Sequence, residues 1–385
     1  MQNNRETKAS NRIPWINGLK GLACLMVFFH HFFLSFYPGI YYGPEAAPKT
    51  SSGIDILMGV KPYGFILNGN FAVNIFIMIS AFLFALKTMN DDKNGKETNL
   101  LNVCLQRYLR LMPPVAIVSV IYYALMWILT RTGHNYAGFQ SELTPFGVIK
   151  HIFLYQWFTN DAKLMGPLWC MYVIFLGGFI AVFLSKMTKP ERKYMPLVYL
   201  VISFALMFVD TNYLPVGLGV LLADLYCNDR LQKVKPKKFL SLALGICLIL
   251  AGLFFGGYPS YAAPDNFVYG FVQRLPGNIF LSHGVASFLL ILGIMLLPST
   301  VILSSKILGF LGDISFAVFL VHTIYINLLS YYLTDLLSDK MGNYNTGAMI
   351  CFAITIILVI GTSVLFHLFV EKKLLILTKR IQIRQ

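Results

Sequence analysis

The sequence predicts an all-α, polytopic membrane protein of about ten transmembrane helices with both termini in the cytoplasm, on three observations. The 385 residues are 57% hydrophobic and only 12% charged, with a mean hydropathy of +0.65, whereas a soluble domain carries roughly 25% charged residues. Apolar runs of membrane-crossing length recur from Ile16 to Val370 and leave no stretch polar enough for a separate soluble domain. Lysines and arginines gather on alternate connections between these runs, which is how a membrane chain records its orientation.

Taken in order, the first run, 15–36, follows Arg5, Lys8 and Arg12 as a signal peptide would. Its bulky continuation Phe28-Phe29-His30-His31-Phe32-Phe33 offers no small-residue cleavage site, so a retained helix is expected. Runs at 65–86, 111–130 and 166–185 each supply the roughly 17 to 25 residues that a ~30 Å hydrocarbon core requires. The fifth and sixth, 195–210 and 213–228, are short, and crossing requires either that the pair is partly unwound around Asp210-Thr211-Asn212 or that the bilayer thins locally. Runs of ordinary length resume at 239–257, 278–297, 309–334 and 346–370. One membrane domain at 15–373 is therefore expected, between cytoplasmic tails at 1–14 and 374–385.

With the N-terminus inside, the cytoplasmic segments hold 24 of the 31 Lys and Arg residues. The outer segments hold Lys49, Lys61, Arg131, Lys150, Lys163, Arg274 and Lys340. The net charge of +14 is thus explained by topology, and no nucleic-acid partner is expected. The six cysteines lie singly, with no CxxC spacing and no Cys/His cluster, so neither disulfides nor a metal site is expected. The outer connections 37–64 and 131–165 carry Tyr37, Tyr41, Tyr42, Tyr63, Tyr136, Phe139, Tyr155, Trp157 and Phe158. These read either as an interfacial aromatic belt or as a platform for a sugar or lipid-linked ligand.

Candidate chemistry begins in the first helix, where Lys20 stands at the inner end and His31 eleven residues later. Eleven helical steps return a side chain to nearly the same face, ~16 Å further along the axis, so one polar stripe runs from the cytoplasmic mouth into the membrane. Ionisable groups at that depth are costly and mark functional pathways. His30 points about a quarter turn away and suits a hydrogen bond between helices. Arg107 and Arg110, spaced i and i+3 before the third run, read either as positive-inside flanking or as a fork pair for phosphates. Trp169 and Tyr172 open the fourth run, and Asp313, Ser315 and His322 lie within the ninth. Asp224 and His367, near inner helix ends, read as packing glue.

These pieces, in this order, resemble the acyltransferase-3 family of integral membrane acyltransferases. Leu19-Lys20-Gly-Leu-Ala followed by His30-His31 is similar to the family's LRGLA-plus-histidine signature, with Lys20 and His31 on the signature positions. Asn70 to Leu83 resembles its second helix, Arg107-Tyr-Leu-Arg110-Leu-Met-Pro113 its RRxxRLxP segment, and Leu168-Trp169 its LWxL segment. Gly217 to Ala223 and Ile314 to His322 complete the series, so the resemblance covers residues 12 to about 373. Lys20 stands where arginine is usual, which keeps the charge but loses the bidentate fork. Ile174-Phe175 stand where many members carry acidic residues, pointing to the branch whose segment reads LWFLY.

The resemblance implies transfer of an acyl group, most often acetyl, from cytoplasmic acetyl-CoA or another acyl-CoA. The acceptor would be a hydroxyl of an extracytoplasmic glycan or lipid-linked saccharide at a bacterial plasma membrane. It implies His31 as general base or acyl carrier with Lys20 as the second catalytic residue, and Arg107, Arg110 and Lys20 on the donor's phosphates. Trp169, Tyr172, Ser315 and His322 would be substrate or supporting residues. A secondary transporter or flippase is the rival class, since charged helix faces and broken spans also line translocation paths.

Overall fold

Backbone amides and carbonyls find no water to bond in a hydrocarbon core, so a chain this apolar satisfies them within helices. In the computed structural model no strand occurs among the described residues. The structure describes residues 13–53, 55, 58, 62–132, 144–153, 165–187, 192–231, 238–259, 268–275 and 277–380. The principal helices are α1 (Pro14–Phe36), α2 (Gly69–Lys93), α3 (Leu100–Arg131), α4 (Cys170–Ser185) and α5 (Met195–Met207). They continue as α6 (Leu214–Cys227), α7 (Lys238–Gly256), α8 (Asn278–Leu296), α9 (Lys306–Tyr332), α10 (Tyr344–Phe366) and α11 (Lys372–Arg380).

Local sequence explains where these helices start. Asn68, Asn99, Ser305 and Asn343 stand just before α2, α3, α9 and α10, and each side chain accepts the backbone N–H three residues on. Such caps satisfy amides that a first turn leaves open, worth about 1 kcal/mol each. Pro14 opens α1, where its missing N–H costs nothing. The third helix begins eleven residues before its apolar run, carrying Arg107 and Arg110 on an N-terminal helical extension.

Among the described residues eight segments are long and apolar enough to cross a membrane. These are α1, α2, α3, α4 with its entry turn Gly166–Trp169, α7, α8, α9, and one rod from Tyr344 to Thr378 that joins α10 to α11. The remaining two expected spans are α5 and α6, of 13 and 14 residues. At 1.5 Å per residue each reaches about 20 Å, short of the hydrocarbon core. A 3₁₀ turn, Thr211–Tyr213, separates them, and the Asp210 carboxylate caps it by accepting from the Asn212 N–H at 2.9 Å.

The second helix is the hub, with α1, α4, α6 and α8 packed around it and Phe71, Met78 and Phe82 fully enclosed. On one side of the hub lies the pair α1–α9 and on another α7–α8. Tyr42 and Tyr63 are exposed, as either a belt or a platform would require, whereas Tyr37 and Tyr41 are buried. Tyr37 donates to Asn345 Oδ1 at 2.9 Å and Tyr41 to the Leu67 carbonyl at 2.9 Å, so these phenols serve tertiary bonds. Tyr136, Phe139, Tyr155, Trp157 and Phe158 lie outside the described residues, as do Lys61, Lys163 and the tails 1–12 and 381–385.

Candidate functional site

Along the α1–α9 seam the contact partners rise together in number, so the helices are parallel. Asn17 Nδ2 donates to the Gly309 carbonyl at 2.7 Å and to Asp313 Oδ1 at 3.0 Å, and higher up His31 meets His322 at 3.2 Å. Glycine makes this closeness possible: a methyl group at Gly312 would come within 1.9 Å of the Asn17 carbonyl oxygen. The face of α1 that carries Asn17, Gly21 and His31 thus packs against α9.

Hydrogen bonding fixes the ring tautomers, because a carbonyl only accepts. His31 Nδ1 lies 2.9 Å from the Val27 carbonyl, so Nδ1 carries the proton and Nε2 keeps its lone pair. His322 Nδ1 lies 3.0 Å from the Val318 carbonyl, so there too Nδ1 donates. His322 Nε2 is therefore an acceptor, facing His31 Nδ1–H at 3.2 Å and the Thr323 hydroxyl at 3.3 Å. The His31 Nε2 atom has no hydrogen-bond partner among the described residues, and its ring is half-buried where His322 is fully enclosed.

His30 turns the other way, edge-on to His31 with ring centroids 4.9 Å apart, and donates Nδ1–H to the Leu67 carbonyl at 3.0 Å. Tyr41 shares that carbonyl, and burial holds its phenol well above the usual range, so it remains a donor. Beyond Leu67, Asn68 Nδ2 bridges the Tyr258 carbonyl at 2.8 Å and His283 Nε2 at 2.9 Å. This buried group ties α2 to α8 and went unrecognised in the sequence. Its one signal there is a cap asparagine at the head of a helix.

Toward the N-terminal end of α1, Lys20 is half-buried, and Arg110 on α3 is exposed. Both lie within electrostatic reach of Glu371, whose Oε2 accepts from His367 Nδ1 at 2.6 Å. His367 and Glu371 begin and end a single π turn, which brings residues four apart onto one face at the join of α10 and α11. The glue reading of His367 thus gains a carboxylate partner that sequence inspection passed over. Arg107 is separated from Arg110 by the packing. Its guanidinium is buried, donating to Ser80 Oγ at 2.8 Å and to the Ile174 carbonyl, and it stacks 4.1 Å from the Phe84 ring centre.

The remaining expected residues are dispersed. Tyr172 donates to the Asp210 carboxylate, whose other oxygen holds Asn212, so Tyr172 braces the break between α5 and α6. Trp169 sits in the 3₁₀ turn Gly166–Trp169, which packs against α9. Ser315 donates back to the Gly312 carbonyl at 2.8 Å. Asp224 is paired with Arg230 at 2.7 Å. No three His, Cys, Asp or Glu side chains converge on a metal position among the described residues.

Chemically, the seam offers one unprotonated imidazole nitrogen on a half-buried ring, and, toward the other end of α1, Lys20 and Arg110 gathered near the Glu371 carboxylate. Compared with known proteins, the chain matches a family described as an acyltransferase domain over residues 13–367. No curated protein and no solved structure matches it.

Proposed function

The chain belongs to this acyltransferase family and is a multi-pass membrane acyltransferase, and from that premise we propose that it carries a short acyl group, acetyl in the first instance, across the membrane's chemical divide. The donor is cytoplasmic acyl-CoA. The acceptor is a hydroxyl of an extracytoplasmic glycan or lipid-linked saccharide, and the bilayer is a bacterial plasma membrane with both chain termini inside.

The observation that carries this reading is the His31 imidazole, with Nδ1 engaged and Nε2 unprotonated. Its stripe partner Lys20 stands eleven residues nearer the cationic mouth. In this reading Arg110 and Lys20 meet the donor's phosphates, where charge-assisted contacts are strong. Arg107, enclosed behind them, braces the wall between α2 and α4. The pantetheine arm, on the order of 15–20 Å long, spans a stripe whose own length is ~16 Å by the helical rise. His31 Nε2 then takes the proton from the acceptor hydroxyl as that oxygen attacks the thioester carbonyl. When the tetrahedral intermediate collapses, the C–S bond breaks and the same proton passes from Nε2 to the leaving thiolate. Direct acylation of Nε2 followed by transfer uses the same atom. Trp169, Tyr172, Ser315 and His322 support the helices on which these groups sit.

Purified protein incubated with radiolabelled acetyl-CoA tests the proposal. Thioester consumption, or label on the protein or on an added envelope glycan extract, is expected. Vesicles that take up a saccharide while leaving the thioester intact would favour a transporter.

A further inference from the structure

Behind His31, where hydrolytic enzymes with a histidine base commonly place a carboxylate to hold the ring and balance its charge, this chain places a second histidine. We propose that His322 is a positioning residue for His31: its Nε2 lone pair holds the His31 ring through Nδ1–H and shares the positive charge that His31 acquires on taking a proton. The proposal rests on the assignment of His31 above.

The polarity of the contact is set by groups outside it. His322 gives its Nδ1–H to the Val318 carbonyl at 3.0 Å, one turn back on its own helix, so only a lone pair is left for the seam. That lone pair faces His31 Nδ1 at 3.2 Å, with the ring centroids 4.9 Å apart. Thr323 adds a hydroxyl to the same nitrogen at 3.3 Å, and the ring is fully buried beside Phe319. The Val27 carbonyl at 2.9 Å already suffices to hold the resting tautomer of His31. The resting state alone therefore gives His322 no task at the seam.

The task appears on protonation. When the acceptor's proton reaches His31 Nε2, the ring becomes an imidazolium and Nδ1–H becomes a charged donor, whose hydrogen bonds are roughly twice as strong as neutral ones. An imidazole nitrogen is a far more basic acceptor than a peptide carbonyl, so the contact to His322 gains more than the contact to Val27. The groups facing His31 are His30 from its own helix, held edge-on by Leu67, and His322 from α9. No carboxylate bonds to His31 among the described residues. The pair also accepts a single proton only: a second, on His322 Nε2, would point at His31 Nδ1–H. One cation is thereby kept on the ring that must return its proton to the thiolate, and no proton is lost down the helix. Parallel docking of α1 on α9 makes the arrangement, since Gly312 and His322 lie ten residues apart on α9, as Gly21 and His31 do on α1.

The test compares full-length variants purified in detergent, by turnover of acetyl-CoA against donor concentration. His322→Phe keeps the ring and removes both nitrogens. It should lower kcat on the order of ten- to a hundred-fold, less than loss of the base itself, with the donor KM unchanged. His322→Gln places an amide oxygen near the Nε2 position and should recover most of the loss. Wild-type kcat in His322→Phe, a loss confined to KM, or a glutamine variant no better than phenylalanine would overturn the proposal. If the phenylalanine variant does not fold, 15N spectra of histidine-labelled wild-type protein decide. A bare Nε2 on His322 facing a protonated Nδ1 on His31 is expected, and a protonated His322 Nε2 overturns it. His31→Ala separates the two readings. Wild-type turnover there removes the catalytic assignment itself, whereas a dead His31→Ala beside an unimpaired His322→Phe removes only the role of His322.

Discussion

The α1–α9 and α7–α8 pairs are built on the same device and filled with different side chains. In both, glycine lets backbones approach: a methyl at Gly312 would fall 1.9 Å from the Asn17 carbonyl oxygen, and one at Gly293 would fall 2.7 Å from the Gly245 carbonyl oxygen. The α7–α8 pair is antiparallel, with Gly245 beside Gly293 and Gly252 beside Ala286. The polar groups that join its two helices are hydroxyls ending on carbonyls, Ser241 on Leu296 and Ser282 on Phe255, while the imidazole on α8, His283, turns to Asn68 at the head of α2 and to the Tyr258 carbonyl just past α7. The α1–α9 pair instead holds an amide on a carboxylate and two facing imidazoles. Close approach is thus a general packing solution in a bilayer, where small residues replace the hydrophobic drive. Ionisable groups in such a seam are an added expense that function must repay.

Breaking the comparison at its strongest point means removing the imidazole. His31→Ala should abolish acyl transfer, about 10²–10⁴-fold, while His30→Ala, which removes a bond to Leu67 and ring packing on His31 and Tyr41, should keep substantial activity. Transfer to the native acceptor by the two variants, extracted folded and in equal yield, checks this, and equal activities would mean that the stripe picks the wrong face of α1. A smaller effect contrasts the two seams directly. Gly312→Ala and Gly293→Ala should each lower thermal stability in detergent, by about 1–3 kcal/mol of overpacking. Only Gly312→Ala should also lower turnover per folded molecule, because it shifts His31 against His322. The smallest effect sharpens the meaning of a dry seam. Ser241→Ala removes a hydroxyl bond worth about 0.6 kcal/mol in a membrane and should leave turnover unchanged; a measurable loss would show that α7–α8 is coupled to the chemistry after all.

Much of this frame could be read from the sequence, because a bilayer imposes one length scale on every span. The apolar runs mark all eight long segments, and Asp210-Thr211-Asn212 marks the break between α5 and α6. Helix ends were less legible where the helix outruns its apolar run, as in the N-terminal extension of α3 and the π turn at His367–Glu371, since hydropathy reports apolar length and not backbone geometry. In the site, Lys20 and His31 share a face by helical period alone. The meeting of His31 with His322, 291 residues away, depends on which helices dock and in which register, and no local pattern carries that. The enclosure of Arg107 and the Asn68–His283 bridge were hidden for the same reason.

That separation of 291 residues has a consequence for biogenesis. The first helix leaves the ribosome long before its partner is made. At roughly 5–20 residues per second it waits on the order of a quarter of a minute to a minute. Throughout that interval Asn17, Lys20 and His31 have no seam to enter, so the nascent first span must be sheltered by the insertion machinery or stay near its water-filled exit. The α1–α9 seam is then among the last parts of the molecule to close, and a chain stalled before the ninth helix would hold most of its spans in place without the partner that α9 supplies.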